Sequence, residues 1–265
     1  MRKYHCLCAL FISLLLCACS NTADTTDMEL QNPTEPTQQE ALSEEIIFHS
    51  PEIERRTREL LEKPEGAVTK SDVLAITEFE FGRYEEISCE KPFLDLQWFS
   101  NLEKVNLYNC NVRSLEGVEA LTALKTLWVN GNHITDITPV SSLTGLVSFH
   151  CLGNDIEDYA PVSGLVHLEN LEIGNASGTK ADMVLAANLT NLKTLYARYC
   201  GISDISALGG LTQLEELNLG NNRISDISPL KNLQNLTKVC LDNNKIADIS
   251  PLDDKQKLTS LDLEN

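Results

Sequence analysis

The side chains best suited to chemistry in this sequence are aromatic rings, an imidazole and a guanidinium group. Trp128 and His150 lie 22 residues apart, and Tyr196 is followed two residues later by Arg198. Large aromatic residues and arginine carry much of the binding energy of protein interfaces. They therefore indicate non-covalent recognition of a protein ligand. The complete candidate set is Tyr108, Trp128, His150, Leu152, Tyr196 and Arg198.

The sequence lacks the short motifs that position catalytic groups. It contains no Gly-x-Ser-x-Gly turn, no His-Glu-x-x-His zinc motif and no phosphate-binding glycine loop. His150 and Cys151 are adjacent, but alternation along a strand would send them to opposite faces, where they cannot form a nucleophile–base pair. We therefore expect no enzymatic activity, no catalytic residue and no cofactor.

A repeat of 22 residues determines where the recognition residues lie. Its clearest copies are 192–213, 214–235 and 236–257, which follow L-x-x-L-x-L-x-x-(N/C)-x-I-x-D-I-x-(P/A)-L. The x-L-x-L segment alternates apolar and polar residues, which predicts a short, half-buried strand. Proline after the D-I pair, as at Pro229 and Pro251, excludes a long helix there. This is the leucine-rich repeat signature. It predicts an α/β solenoid with a curved parallel sheet on the concave face and an irregular or 3-10 convex side.

The repeat register predicts two columns of side chains on the concave face. The position between the two inward residues of each strand forms the first column, and the position two residues later forms the second. All six recognition residues fall in these columns, so we predict that they form one contact patch. The alternative is that the aromatic residues only stabilise neighbouring strands. The first column is Glu80, Asn106, Trp128, His150, Glu172, Tyr196, Asn218, Cys240 and Asp262.

Two further columns are predicted to be structural. An inward asparagine at the end of the strand, as at Asn222 and Asn244, can bond backbone groups of neighbouring turns, and Cys110 and Cys200 occupy the same slot. One aspartate per repeat stands at the D-I position. A calcium ladder is conceivable, but one carboxylate per turn favours a solvated row that supports the turn, so we expect no metal site. The row is Asp136, Asp158, Asp204, Asp226 and Asp248.

The N-terminal segments predict export and attachment to a membrane. Residues 1–18 have a basic start and an apolar run that is short for a membrane span, and Leu16-Cys17-Ala18-Cys19 resembles the lipobox of bacterial lipoproteins. That resemblance implies cleavage before Cys19 and a diacylglyceryl group on its sulfur, hence an extracytoplasmic, lipid-anchored protein. An ordinary secretory signal or an uncleaved anchor are the alternatives. Residues 19–45 are polar and predict a disordered tether.

Residues 46–75 predict a helical N-terminal cap, and residues 76–265 predict the repeats. Ser50 followed by proline is a helix start, after which Ile53, Leu60 and Leu61 are expected on one buried face. Thr69 and Asp72 predict a capping box for a second helix over 71–75. The sequence ends in the strand of a further repeat without a polar closing repeat, which indicates a shortened or frayed end, or an edge to which a partner strand adds.

The charge of the chain restricts its partners. The formal net charge is −18 and the pI is about 4.6. Nucleic acid phosphates would be repelled, so we expect no nucleic acid partner, whereas a basic protein surface would be attracted.

The spacing of the nine cysteines does not indicate a framework of paired disulfides. We expect a monomer.

The segment EIERRTRELLEKPEGAVTKSDVLAITEFEF, the segment DLQWFSNLEKVNLYNC and the D-I-x-P-L repeats together resemble the internalin-type proteins of bacterial surfaces. The resemblance covers roughly residues 46–265 and implies a curved solenoid with a helical cap and a concave protein-binding surface. The Ig-like domain and wall anchor found in many internalins are not visible. Repeats of 22 residues also resemble regulatory subunits of protein phosphatases. A cytosolic scaffold and an adhesin-like host-contact protein are therefore the alternative functions.

Overall fold

Nine short parallel strands form one sheet in the computed structural model, which describes residues 42–81, 90–174 and 181–264. Each strand pairs with the next one in sequence, so the sheet order is the chain order. This arrangement confirms the leucine-rich repeat solenoid with its curved sheet. The strands are β1 Glu78–Glu80, β2 Lys104–Asn106, β3 Thr126–Trp128, β4 Ser148–His150, β5 Asn170–Ile173, β6 Thr194–Ala197, β7 Glu216–Asn218, β8 Lys238–Cys240 and β9 Ser260–Asp262.

The strands are stacked without any slip in register. Leu127 pairs with Val105 on one side and with Phe149 on the other, so equivalent repeat positions become lateral neighbours. In β2 to β8 the second residue is buried, and the residues on either side of it lie on the open face. The predicted alternation and register are therefore confirmed, and His150 and Cys151 do lie on opposite faces.

Short 3-10 helices form the opposite side of each coil and close the core. Leucine, isoleucine and valine from these helices and from the strands pack into one continuous hydrophobic cluster. Each fully buried aliphatic side chain stabilises the fold by about 1.5–3 kcal/mol. The 3-10 helices are Val118–Ala120, Thr138–Ser142, Ala160–Gly164, Met183–Ala186, Ser206–Gly210, Ser228–Asn232 and Ser250–Leu252.

The inward asparagines satisfy backbone groups of adjacent repeats, as predicted. The buried Asn132 side chain accepts hydrogen bonds from the amides of Cys110 and Val112 at 2.9 and 3.0 Å. Its amide donates to the carbonyls of Leu107 and Val129, both at 2.8 Å. Buried backbone groups need such partners, so the asparagines join consecutive coils where the strands end.

The aspartate row supports the turns, also as predicted. Each of the five carboxylates accepts a hydrogen bond of 2.7–2.9 Å from the backbone amide two residues later. These bonds lower the pKa of Asp204 and Asp248, and the side chain of Thr138, together with its backbone amide, lowers the pKa of Asp136. Each bond satisfies an amide where the chain enters a 3-10 helix, a local role that requires no cation.

Two helices form where the cap was expected, and one detail of the prediction is wrong. Helix α1 spans Pro51–Leu60 behind the Ser50 cap, and α2 spans Lys70–Val73 with the predicted capping box. Leu60 was expected on the buried face but is exposed. The side chains that face the core are instead spaced four residues apart, at Ile53, Thr57 and Leu61. Leu61 therefore packs against the core, and Leu60 does not.

A buried carboxylate that the sequence analysis missed attaches the cap to the repeats. Helix α3, Phe93–Leu96, carries Asp95, which is 1% exposed. Asp95 accepts hydrogen bonds from the backbone amides of His49 and Ser50 at 2.9 and 2.8 Å, and it contacts His49 Nδ1 at 2.7 Å. Both carboxyl oxygens of Asp95 therefore have hydrogen-bond donors inside the protein.

Several expectations fall outside the described residues. They are the signal over 1–18, the lipid site Cys19 and the tether as far as residue 41. Within the described residues, no helix is both long and apolar enough to cross a membrane.

We expect replacement of a ladder asparagine to be costly. Asn132→Ala leaves two buried amides without an acceptor, so the free energy of unfolding should fall by about 3 kcal/mol. Asn191→Ala is the control, because that exposed side chain makes a single bond to the Val166 carbonyl. Urea denaturation followed by circular dichroism measures both. Equal losses in the two variants would contradict a special role for the ladder.

Candidate functional site

Aromatic and charged side chains occupy adjacent strands on the open face of the sheet. Trp128 pairs laterally with His150, and His150 pairs with Glu172 on the next strand. The rings of Trp128 and His150 meet edge to face, with centroids 5.2 Å apart and planes at 67°. This geometry is favourable for neighbouring aromatic groups and holds the indole in place.

These side chains line a cavity of about 650 Å³ on that face. Three of the six sequence candidates, Tyr108, Trp128 and His150, contribute to it. Tyr108 is 50% exposed, so its ring is available at the rim. The lining is completed by residues that were not among the candidates: Phe81, Asn106, Asn109, Asn130 and Glu172.

Glu172 is the charged group of this cavity. Its Oε2 accepts hydrogen bonds from Asn130 Nδ2 at 2.9 Å and contacts His150 Nδ1 at 3.1 Å. The hydrogen bond from His150 lowers the pKa of Glu172, against the opposing effect of burial, and Asn130 adds to the lowering. Glu172 is therefore ionised. Because a carboxylate only accepts, Nδ1 of His150 carries the shared hydrogen.

Asn130 follows the end of β3 and helps to fix this carboxylate, which lies on β5, two strands further along the sheet. The Oδ1 atom of Asn130 accepts a hydrogen bond from the Leu152 backbone amide at 2.8 Å. This bond orients the Nδ2 atom of Asn130 toward Glu172. Leu152, a sequence candidate, is half-buried and is not part of the cavity lining. The repeat register could have identified Glu172 as the neighbour of His150, whereas the diagonal bond across two repeats required the structure.

Tyr196 lies on the same face but in a different cluster. Its hydroxyl donates to Glu216 Oε2 at 2.6 Å, and Glu216 also pairs with Lys238 at 2.7 Å. The bond to Glu216, with burial, raises the pKa of Tyr196 to about 12. This cluster borders a smaller depression of about 220 Å³ on the C-terminal half of the sheet. The structure thus separates Tyr196 from the cavity around Trp128.

Arg198 is held by an ion pair within the protein. Its guanidinium contacts both carboxylate oxygens of Asp242, at 2.8 and 3.0 Å, across two repeats. It also bonds Asn218 Oδ1 at 3.1 Å. Gly220 lies between the two charged residues, and a Cβ there would collide with both of them. The Arg198 side chain is therefore organised by intramolecular contacts.

Cys240, Asp242 and Asp262 bring one sulfur and two carboxylates within 4.8 Å of one another, a spacing that could hold a metal ion. Burial, together with the bond to Asp242, raises the pKa of Cys240 to about 11, so the thiol is protonated near neutrality. A metal requires the thiolate. The guanidinium of Arg198 already supplies positive charge to Asp242.

A shallow depression of about 540 Å³ also runs along helix α1. Its charged side chains pair with each other, as Arg58 does with Glu54 and Arg55 with Glu59. Surface pairs of this kind contribute little and leave few groups for a ligand. The cavity around Trp128 is the better candidate site.

The comparisons with known proteins agree with the fold. The family model described as leucine rich repeats (2 copies) matches residues 100–142 and 190–232. Internalin C2 of Listeria monocytogenes is 28% identical, with a TM-score of 0.61 and coverage of 83% of this chain and 88% of that one. An internalin (inlF) of the same organism is 24% identical, with a TM-score of 0.54 and coverage of 82% and 76%.

A receptor complex shares the fold at lower identity. It is the leucine-rich repeat ectodomain of the plant membrane receptor kinase GASSHO1/SCHENGEN3 from Arabidopsis thaliana, in complex with CASPARIAN STRIP INTEGRITY FACTOR 2. The identity is 21% and the TM-score 0.53, over 71% of this chain and 23% of that one. No curated protein matches the sequence.

The repeats, the sheet and the open face define a leucine-rich repeat solenoid. Its described part is similar in architecture to the internalins of Listeria monocytogenes.

We expect the Arg198–Asp242 pair to make stability depend on pH. Burial opposes ionisation of Asp242, but bonds from Cys240, Arg198 and Asn243 outweigh it and lower the pKa from 3.8 to about 2. A lowered folded-state pKa stabilises the protein above pH 3.8, and this contribution is lost as the pH falls toward 2.

The corresponding experiment is urea denaturation of the wild type and Asp242→Asn at pH 5, 3 and 2. The wild-type advantage should shrink by about 1–2 kcal/mol across this range, after allowance for solvent screening. Arg198→Gln should flatten the same dependence. An advantage that does not change with pH would show that the pair does not stabilise the folded state in this way.

Proposed function

We propose that this chain is an exported, lipid-anchored protein that binds a protein partner on the concave face of its repeats and performs no catalysis. The observation that carries the proposal is the cavity formed by Tyr108, Trp128, His150 and Glu172 on the open face of the sheet. Rigid aromatic groups beside an ionised carboxylate are the kind of anchor around which interface binding energy concentrates.

The fold and its relatives support a role in protein binding. Strands held in register keep the open face rigid, so little conformational entropy is lost when a partner docks. The plant ectodomain of the same fold is in complex with a partner factor. The internalin-like neighbours support a protein-binding surface or a host-contact role.

The competing explanation is that the aromatic residues only stabilise the sheet. The edge-to-face contact of Trp128 and His150 does stabilise two neighbouring strands. It does not account for Tyr108, whose ring is half exposed, or for an ionised Glu172 beside a cavity. A binding role explains all four residues.

The contact patch is tested by alanine substitution. Full-length wild type, Trp128→Ala and Tyr196→Ala are immobilised, and photo-crosslinked surface proteins from the native environment are quantified by mass spectrometry. Trp128→Ala should reduce specific capture at least about tenfold, the effect of losing a hot spot of about 2 kcal/mol. Tyr196→Ala tests whether the second cluster contributes.

Trp98→Ala is the matched control, because this tryptophan lies after helix α3 and its ring contacts Lys70 rather than the cavity. Thermal denaturation verifies that each variant is folded. Unchanged capture by a folded Trp128→Ala protein would exclude the cavity from the interface.

Lipid anchoring is tested separately. Cells that produce the wild type or Cys19→Ser are labelled with a clickable palmitate analogue. We expect label and membrane association for the wild type and neither for the variant, because two acyl chains bind a bilayer stably and Cys19 is their attachment point. An unlabelled wild type would disprove the lipoprotein assignment and leave the binding face unaffected.

A further inference from the structure

The cavity around Trp128 combines aromatic surface with one negative charge and a free acceptor. Both hydrogen bonds to the Glu172 carboxylate converge on Oε2. Among the residues that the structure describes, no donor contacts Oε1. The side chain of Glu172 is 20% exposed, so a partner can reach this oxygen, and a charged donor would form the strongest bond with it.

The aromatic rings that line the same cavity favour a cation in particular. Trp128, Tyr108 and Phe81 all line the cavity. The faces of aromatic rings attract cations, tryptophan most strongly. The protein shows this preference itself, because Lys104 Nζ lies 5.9 Å from the centroid of the Trp128 ring. That lysine belongs to the rim, where it pairs with Glu78 and Glu80 at 3.3 and 3.8 Å.

The remaining charges agree with this preference. Acidic residues outnumber lysine and arginine by 39 to 21 in the chain. The resulting field attracts basic surfaces and repels acidic ones. Anionic ligands are disfavoured by Glu172, and an aliphatic ligand would leave the open carboxylate oxygen without a partner.

We infer that this cavity receives an arginine side chain of the partner, with the guanidinium against Glu172 Oε1 and its plane against the Trp128 ring. The inference rests on the proposed function and specifies its chemistry. Arginine is preferred to lysine because its planar group can stack on an aromatic ring while its fork of donors bonds a carboxylate and a side-chain amide oxygen together. Asn106 supplies such an oxygen in the cavity wall.

The test uses the full-length protein in mild detergent and three blocked pentapeptides, Gly-Gly-X-Gly-Gly, in which X is arginine, lysine or citrulline. Citrulline has nearly the shape of arginine without the charge. Binding is measured by tryptophan fluorescence in a Trp98→Phe background, which leaves Trp128 as the reporter. We expect the arginine peptide to bind with a Kd of about 1 mM, lysine to bind a few-fold more weakly, and citrulline to bind at least about tenfold more weakly.

Variants locate the interaction. Glu172→Gln should weaken binding of the arginine peptide about tenfold, since it removes the charge and keeps the shape. Lys104→Gln should strengthen it, because a competing cation is removed from the rim. The control is Glu157→Gln, which makes the same change of charge at an exposed position of the preceding repeat, away from the cavity. Circular dichroism confirms that the variants are folded.

Several results would overturn the inference. These are equal binding of arginine and citrulline, lysine binding as tight as or tighter than arginine, or equal effects of Glu172→Gln and Glu157→Gln. Binding of neutral oligosaccharides that Trp128→Ala abolishes, without binding of the arginine peptide, would assign the cavity to a glycan. If none of the peptides binds while Trp128→Ala still abolishes capture of surface proteins, the arginine assignment fails and the proposed function stands.

Discussion

The structure depends on one constraint, which is that every strand must pair with the next without slipping. Backbone amides and carbonyls at the strand positions find their partners only in the adjacent coil. A shift of one residue would turn the buried leucines toward water and the polar residues toward the core. The asparagines strengthen the same constraint, because each one bonds backbone groups of two consecutive repeats at the end of the strand.

Because the strands stack in register, equivalent positions of successive repeats form columns of side chains on the open face. Side chains of these columns form the cavity around Trp128. Side chains 22 residues apart become lateral neighbours, which places His150 between Trp128 and Glu172. Longer side chains reach across a further strand, so Asn130 bonds Glu172 and Arg198 bonds Asp242. The repeat is therefore both the source of stability and the device that assembles residues distant in the sequence. Substitution within a column changes the surface while the core leucines remain unchanged.

The sequence was sufficient to predict the solenoid, the strand register, the asparagine ladder and the aspartate row, because each depends on local periodicity. It also identified Trp128 and His150 as neighbours. It did not identify the bond between Asn130 and Glu172 or the burial of Asp95, because these depend on how far a side chain extends across a neighbouring strand or helix. Leu60 was misplaced for a related reason. The apolar residues of helix α1 are compatible with more than one buried face. Which face is buried is decided by packing against the rest of the protein, and that packing buries Ile53 and Thr57.

The two halves of the open face differ in how their charges are satisfied, and this difference localises recognition. In the C-terminal half, Arg198 neutralises Asp242, and Tyr196 and Lys238 both engage Glu216. A partner that docks there would have to break these bonds before forming its own, so its net gain would be small. In the N-terminal half, Asn130 and His150 both contact the same oxygen of Glu172, and among the described residues no donor contacts its other oxygen. A partner gains the full charge-assisted bond there without breaking one, which is the physical reason to place binding at the cavity around Trp128.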